Sequence, residues 1–202
     1  MDRVINFVNL IGWMYILVQT EIEVVFNMKN YVTSDISLSL NILRCMQLLQ
    51  VLDIVLLLMG KAKGNFFAAF FQILGRNIVT LIILEPETNR LTYAGVVIVW
   101  SLAEVNRYLY YLFKTNSVTG FLRYNGFLIL YPLGGVAETL NFNDYFSRHP
   151  ELPDIYYYIL RFINFGILVG VVILYRYMLS ARRKYMKGKK EESEKKIEGK
   201  TK

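Results

Sequence analysis

The sequence predicts an all-α fold: a polytopic membrane protein built as a bundle of six transmembrane helices, with both termini cytoplasmic. Three observations carry this. Hydrophobic residues make up 54% of the 202 positions. They run in blocks long enough to cross a bilayer, not at the amphipathic spacing of a soluble helix. The connections between blocks are too short to hold a soluble domain.

The first block, Val4–Val18, is short and carries Asn6 and Asn9 near one end. The second, Leu38–Met59, contains Arg44, Asp53 and the lone cysteine, Cys45. Gly60 and Gly64 bracket a loop holding Lys61 and Lys63. The third, Phe66–Leu84, carries Arg76 and stops short of Pro86, which breaks the chain. The fourth, Thr92–Phe113, carries Glu104 and Arg107, three apart and therefore able to pair on one helix face. The fifth, Phe121–Asn141, holds Arg123 and Glu138. Pro150 and Pro153 then keep the Asn143–Asp154 loop from being helical. The sixth, Tyr156–Leu179, holds Arg161 and the pair Gly166/Gly170, whose small-xxx-small spacing reads as helix packing. Arg44 and Arg161 read as boundary residues with no further role.

Residues 1–181 thus form one membrane domain, and residues 182–202 a charged tail that reads as solvated and disordered. The net charge is +7, and its placement sets the orientation. Arg3, Lys61, Lys63, Lys114 and the basic tail share one side. On the other side Lys29, Arg90 and Arg148 are diluted by acids, so the positive-inside rule places both termini in the cytoplasm. The tail's cations follow a spanning segment directly and suit anionic lipid better than nucleic acid. One cysteine excludes an internal disulfide, and one histidine, His149 in a polar loop, argues against redox-metal chemistry and against His-box lipid enzymes.

The informative stretch is Leu122–Thr139, LRYNGFLILYPLGGVAET. A carboxylate inside a membrane segment is costly and marks a candidate site. Tyr131 and Glu138 are seven positions apart, so on a helix they share a face, offset by about 20°. A weak acid and a weak base on one buried face suit proton transfer on a lipid-like substrate. The two Cα atoms stand roughly 10 Å apart along a straight helix. Pro132, Gly134 and Gly135 lie between them, and a kink there, or a Tyr131 rotamer pointing C-terminally, is the expected means of bringing both groups to one substrate.

Two neighbouring motifs sharpen this. The fourth block reads W-S-x-x-E-x-x-R-Y-x-Y-Y through Trp100, Ser101, Glu104, Arg107, Tyr108, Tyr110 and Tyr111. The fifth reads L-R-Y-x-x-F-x-x-L-Y-P-x-G-x-x-x-E through Leu122, Arg123, Tyr124, Phe127, Leu130, Tyr131, Pro132, Gly134 and Glu138. Together they resemble the endoplasmic-reticulum (3R)-3-hydroxyacyl-CoA dehydratases, the protein-tyrosine-phosphatase-like-A proteins of very-long-chain fatty acid elongation. Weaker echoes are Gly12–Trp13, Leu52–Asp53, and Gln72 with Arg76. Asp53 stands where the family usually has Glu, and Asn106 where an apolar residue is expected.

The resemblance implies dehydration of (3R)-3-hydroxyacyl-CoA to trans-2-enoyl-CoA, without a cofactor or metal, in the endoplasmic reticulum membrane beside other elongation enzymes. It implies Tyr131 and Glu138 as the catalytic pair, with Arg123, Gly134, Glu104 and Arg107 binding or supporting. Either member could be the acid. In one assignment Glu138 takes the C2 proton and Tyr131 serves the C3 hydroxyl; in the other a protonated Glu138 is the acid. The CoA head would rest on cations such as Arg123, Lys114 or Lys61, with the acyl chain in an apolar tunnel. Two other readings are a catalytically silent scaffold of the elongation complex and a small transporter using Glu138 as a proton relay.

Overall fold

The computed structural model describes residues 3–26, 36–60 and 65–198. Lys29, Lys61, Lys63 and the last four residues, which enter the topology and CoA-binding expectations, lie outside the described residues. All regular structure among the described residues is helical: α1 (Arg3–Phe26), α2 (Ser37–Leu58), α3 (Phe66–Ile78), α4 (Arg90–Leu112), α5 (Ser117–Asn125), α6 (Phe127–Arg148) and α7 (Asp154–Glu198). Among the described residues, three stretches are long and apolar enough to cross a membrane: Ser37–Leu58, Phe66–Ile83 and Asp154–Glu191. α4 has the length, at 23 residues, but carries the buried charges of the site.

Asparagine starts three helices. The side chains of Asn65, Asn89 and Asn116 accept the Ala68, Leu91 and Val118 amides at 3.2, 2.9 and 2.8 Å, satisfying donors that a helix start leaves orphaned. α3 ends in one π-helical turn, Val79–Ile83. The Arg44 guanidinium donates to the carbonyls of Thr80 (3.4 Å) and Leu84 (3.0 Å). Arg44, with no role assigned from sequence, thus closes the end of this irregular turn. Arg161 ties α7 to α6 through Asn143 Oδ1 (2.8 Å) and the Phe146 ring (4.3 Å).

α4 is central, packed against α1 on one side and α6 on the other. Trp13, Leu40, Leu43, Val96, Val97, Trp100 and Phe142 fill the core. α2 pairs with α3, α6 with α7, and α3 touches α7. The outward faces carry exposed Phe67, Phe71, Phe162, Phe165 and Ile173, an apolar surface of the kind lipid covers.

Several boundaries differ from the sequence expectation; among them, α1 runs to Phe26 and the Asn143–Asp154 segment, expected to be non-helical, is helical as far as Arg148. The fifth block is two helices, and the interruption falls at Gly126, not at Pro132–Gly135, which lie inside α6. Gly126 keeps helical dihedrals, but a Cβ there would stand 2.8 Å from the Leu122 carbonyl oxygen and 3.2 Å from Asn106 Nδ2. A side chain at 126 would crowd both, and Asn106, polar where the family resemblance leads one to expect an apolar residue, is the neighbour it would meet. The tail differs too. The segment from Arg182, expected to be disordered, continues α7 to Glu198. Lys and Glu are good helix formers, and the span gives them a nucleus to propagate from.

α6 also runs past Asn141 to Arg148, where a polar clasp meets it. Arg148 binds Glu85 (2.5 Å) and Asp144 (3.0 Å), and His149 Nε2 lies 2.9 Å from Glu85. Burial pulls the Glu85 carboxyl up, but hydrogen bonds from His149 and Arg148 outweigh it and hold it below its usual value. The Glu85 bond raises the His149 imidazole above its usual 6.5. The His149 contribution is therefore complete below pH 6.5 and lost as pH rises through the raised folded value; that of Glu85 is lost as pH falls through its lowered one. The wild-type melting temperature should fall by at most about 2–4 °C as pH rises above 6.5. In His149→Gln that fall should be absent, as read by thermal melts across pH.

Candidate active site

Tyr131 and Glu138 line one cavity of about 450 Å³, bounded by α3, α4, α6 and α7. Its walls are almost wholly apolar, with Leu74, Val99, Ile163, Ile167 and Val171 among them. Glu138 is buried, and its Oε1 accepts from the indole Nε1 of Trp100 at 2.8 Å. The Tyr131 hydroxyl donates to Gln72 Oε1 at 3.5 Å, and its ring meets Phe127 edge-on at 6.1 Å.

Behind Trp100 runs a buried ionic network. Arg76 pairs with Glu104, and its guanidinium lies over the Trp100 ring at 5.3 Å. Arg107 binds Glu104 at 2.7 Å and Asp53 at 3.0 Å, and donates to the Tyr108 hydroxyl at 2.6 Å. Two acids and two bases from α2, α3 and α4 thus form a closed, neutral set. The pairing of Glu104 with Arg107, read from their spacing, is present; its extension to Arg76 and Asp53 is not visible in one helix's pattern.

A second, polar cavity of about 920 Å³ adjoins the first. Glu104, Arg107, Lys114, Arg123 and Tyr124 line it, with Arg3 of α1 and Ala181 of α7. Gln72, Ala103, Tyr131 and Leu174 line both cavities, so Tyr131 stands where the polar and apolar spaces meet.

Of the six residues singled out from sequence, Tyr131, Glu138 and Gly134 line the apolar cavity, while Tyr131, Glu104, Arg107 and Arg123 line the polar one. Gly134 is buried, its missing Cβ 3.7 Å from Val99 of α4. The residues assigned no role are Trp100, Gln72, Arg76 and Asp53. Spacing offers a signal: Trp100/Glu104 and Gln72/Arg76 are each four apart, and each pair shares a helix face. The packing reading of Gly166 and Gly170 fails, because an added Cβ at either meets nothing within 4 Å. Both line the apolar cavity and leave room there.

Comparison with known proteins gives one consistent answer. The family model described as "Protein tyrosine phosphatase-like protein, PTPLA" matches residues 47–188. A protein of Schizosaccharomyces pombe named "Probable very-long-chain (3R)-3-hydroxyacyl-CoA dehydratase" is 25% identical, over 92% of this chain and 92% of its own. A Gallus gallus protein named "Very-long-chain (3R)-3-hydroxyacyl-CoA dehydratase" is 22% identical over 92% of this chain, which spans 57% of that relative's length. A dog (Canis lupus familiaris) relative, "Very-long-chain (3R)-3-hydroxyacyl-CoA dehydratase 1", is 29% identical over 72% of this chain and 67% of its own. No solved structure matches. The family match covers most of the chain, including both motif-bearing helices, and the chain belongs to the PTPLA family.

Proposed function

We propose that the protein dehydrates (3R)-3-hydroxyacyl-CoA to trans-2-enoyl-CoA, the reaction named for its relatives. The observation that carries this is the position of Tyr131: it lines both a polar and an apolar cavity, and Glu138 lines the apolar one. An acyl-CoA has the same two halves. Its acyl chain suits the apolar space, its nucleotide the polar one, and the reacting carbons fall between.

In this reading Glu138 removes the C2 proton, which the thioester acidifies. The C2–H electron pair forms the C2=C3 bond, and the C3–O bond breaks toward Tyr131, which gives its proton to the leaving hydroxyl as water. The Trp100 donor supports negative charge on Glu138, and water leaves through the polar cavity. Arg123 and Lys114 meet the CoA phosphates, while Glu104, Arg107 and Gly134 support the frame. A phosphatase reading, suggested by the family's name, lacks its C-x₅-R loop: the residue six after Cys45 is Val51. A silent scaffold has no need to keep Tyr131 and Glu138 on one cavity.

The same proposal includes six spans with cytoplasmic termini. Arg3 and Ala181 line one polar cavity, which supports termini on one side, and that side holds the excess of Lys and Arg. Residence in the endoplasmic reticulum membrane, among other elongation enzymes, is supported by the family resemblance. The test is formation of enoyl-CoA from (3R)-3-hydroxyacyl-CoA by the purified protein, followed by mass spectrometry; no conversion overturns the reading. Gly170→Leu should put its side chain into the apolar cavity. Turnover of long acyl chains should then fall about tenfold or more relative to short ones, read as kcat/KM across chain lengths.

A further inference from the structure

We infer that the part of α7 beyond its apolar stretch is a strap that completes the binding site for the nucleotide end of CoA, acting through α5. The inference rests on the dehydratase reading for the identity of that ligand. α5 has nine residues, too few to be stable as an isolated helix. It carries Arg123 and Tyr124, both on the polar cavity, and Lys114 lies just before it on the same cavity. Whatever fixes α5 therefore fixes the cations meant for the phosphates.

α7 does the fixing. The Tyr185 ring stacks on Tyr124 with centroids 4.2 Å apart and planes at 17°. Arg182 Nε donates to Asn125 Oδ1 at 2.9 Å, and Lys189 Nζ to Ser117 Oγ at 2.5 Å. These contacts hold both ends of α5. Gly120 makes the close approach possible: a Cβ there would run into the Tyr185 hydroxyl oxygen. One turn or more earlier, Tyr177, Met178 and Ala181 of α7 are themselves part of the cavity wall. Tyr124 also meets Tyr110 edge-on at 5.7 Å, so the strap continues into an aromatic wall of the kind on which a nucleobase stacks. Tyr185 touches no reacting atom in this scheme and is a positioning residue.

The test uses the full chain in detergent and two substrates with the same 3-hydroxyacyl group, one on CoA and one on N-acetylcysteamine, which lacks the nucleotide. Tyr185→Ala should raise KM for the CoA thioester about tenfold with kcat unchanged, and leave the N-acetylcysteamine thioester unaffected. Tyr185→Phe, which keeps the stacked ring, should match wild type. Gly120→Ala, which displaces the ring while keeping Tyr185, should reproduce Tyr185→Ala. Equal losses on both thioesters, or no loss on either, overturn the strap. Calorimetric titration with free CoA separates this from the dehydratase reading. Wild type that forms no enoyl product overturns that reading, whereas equal CoA affinity in wild type and Tyr185→Ala overturns the strap.

Discussion

Glu138→Gln should lower kcat for enoyl-CoA formation by about 10²–10⁴-fold, and Tyr131→Phe by a similar factor. Both variants are nearly isosteric, so the fold should survive. In Glu138→Gln the new amide oxygen can still accept from Trp100, whose indole nitrogen lies 2.8 Å from Glu138 Oε1 in the native protein. The phenyl ring of Tyr131→Phe keeps its edge contact with Phe127 and loses only the hydroxyl bonded to Gln72 at 3.5 Å. KM should change little, because neither group is assigned to binding. If the two act in one concerted elimination, the double variant should be little worse than the poorer single one, since each loss already disables the step. Steady-state kinetics on purified protein decide this, and full activity in both single variants removes the proposed site.

That site is legible from sequence in its endpoints and not in its middle. A carboxylate inside an apolar block is expensive enough to announce itself, and the seven-residue spacing sets Glu138 and Tyr131 on one face. The two motifs place Glu104, Arg107 and Arg123 near them. What joins these groups depends on inter-helix register, which no periodicity encodes. Trp100 bonds Glu138 across 38 positions, Arg76 reaches Glu104 across 28, and Arg107 reaches Asp53 across 54. Such contacts follow from how α2, α3, α4 and α6 sit together. Likewise Pro132 reads as the breaker in sequence, whereas the interruption is at Gly126. A proline in a helix costs one backbone bond and can be absorbed; the approach of Asn106 on α4 to Gly126 depends on how the helices pack. In the tail, charge density alone points to disorder. The helix instead propagates from the span, and as far as Lys189 it gains partners on α5 for Arg182, Tyr185 and Lys189 that lie more than 50 positions away.

The ionic network yields the largest expected effect on stability. Glu104 is almost fully buried, and Arg76, Arg107 and Asp53 are at most 13% exposed. With all four charged the set is neutral. Glu104→Gln leaves Arg76 without its acidic partner and Arg107 with Asp53 alone, a net positive charge in a buried set. Breaking a buried pair in this way should cost about 3–5 kcal/mol, read as a lower midpoint in thermal unfolding of the detergent-solubilised protein. Asp53→Asn should cost less, because Asp53 pairs with one arginine where Glu104 pairs with two, and its side chain is 13% exposed where that of Glu104 is 1%. Activity should fall in Glu104→Gln for a separate reason: Arg76 loses the partner that holds it over the Trp100 ring, and Trp100 orients Glu138. Combining Glu104→Gln with Arg76→Met separates the two effects. Removing the excess cation should recover much of the stability, since apolar replacement of a buried ionic set is often neutral or favourable. It should leave turnover low, because the charge behind Trp100 is gone. Recovery of stability and turnover together would show that the network serves the fold alone.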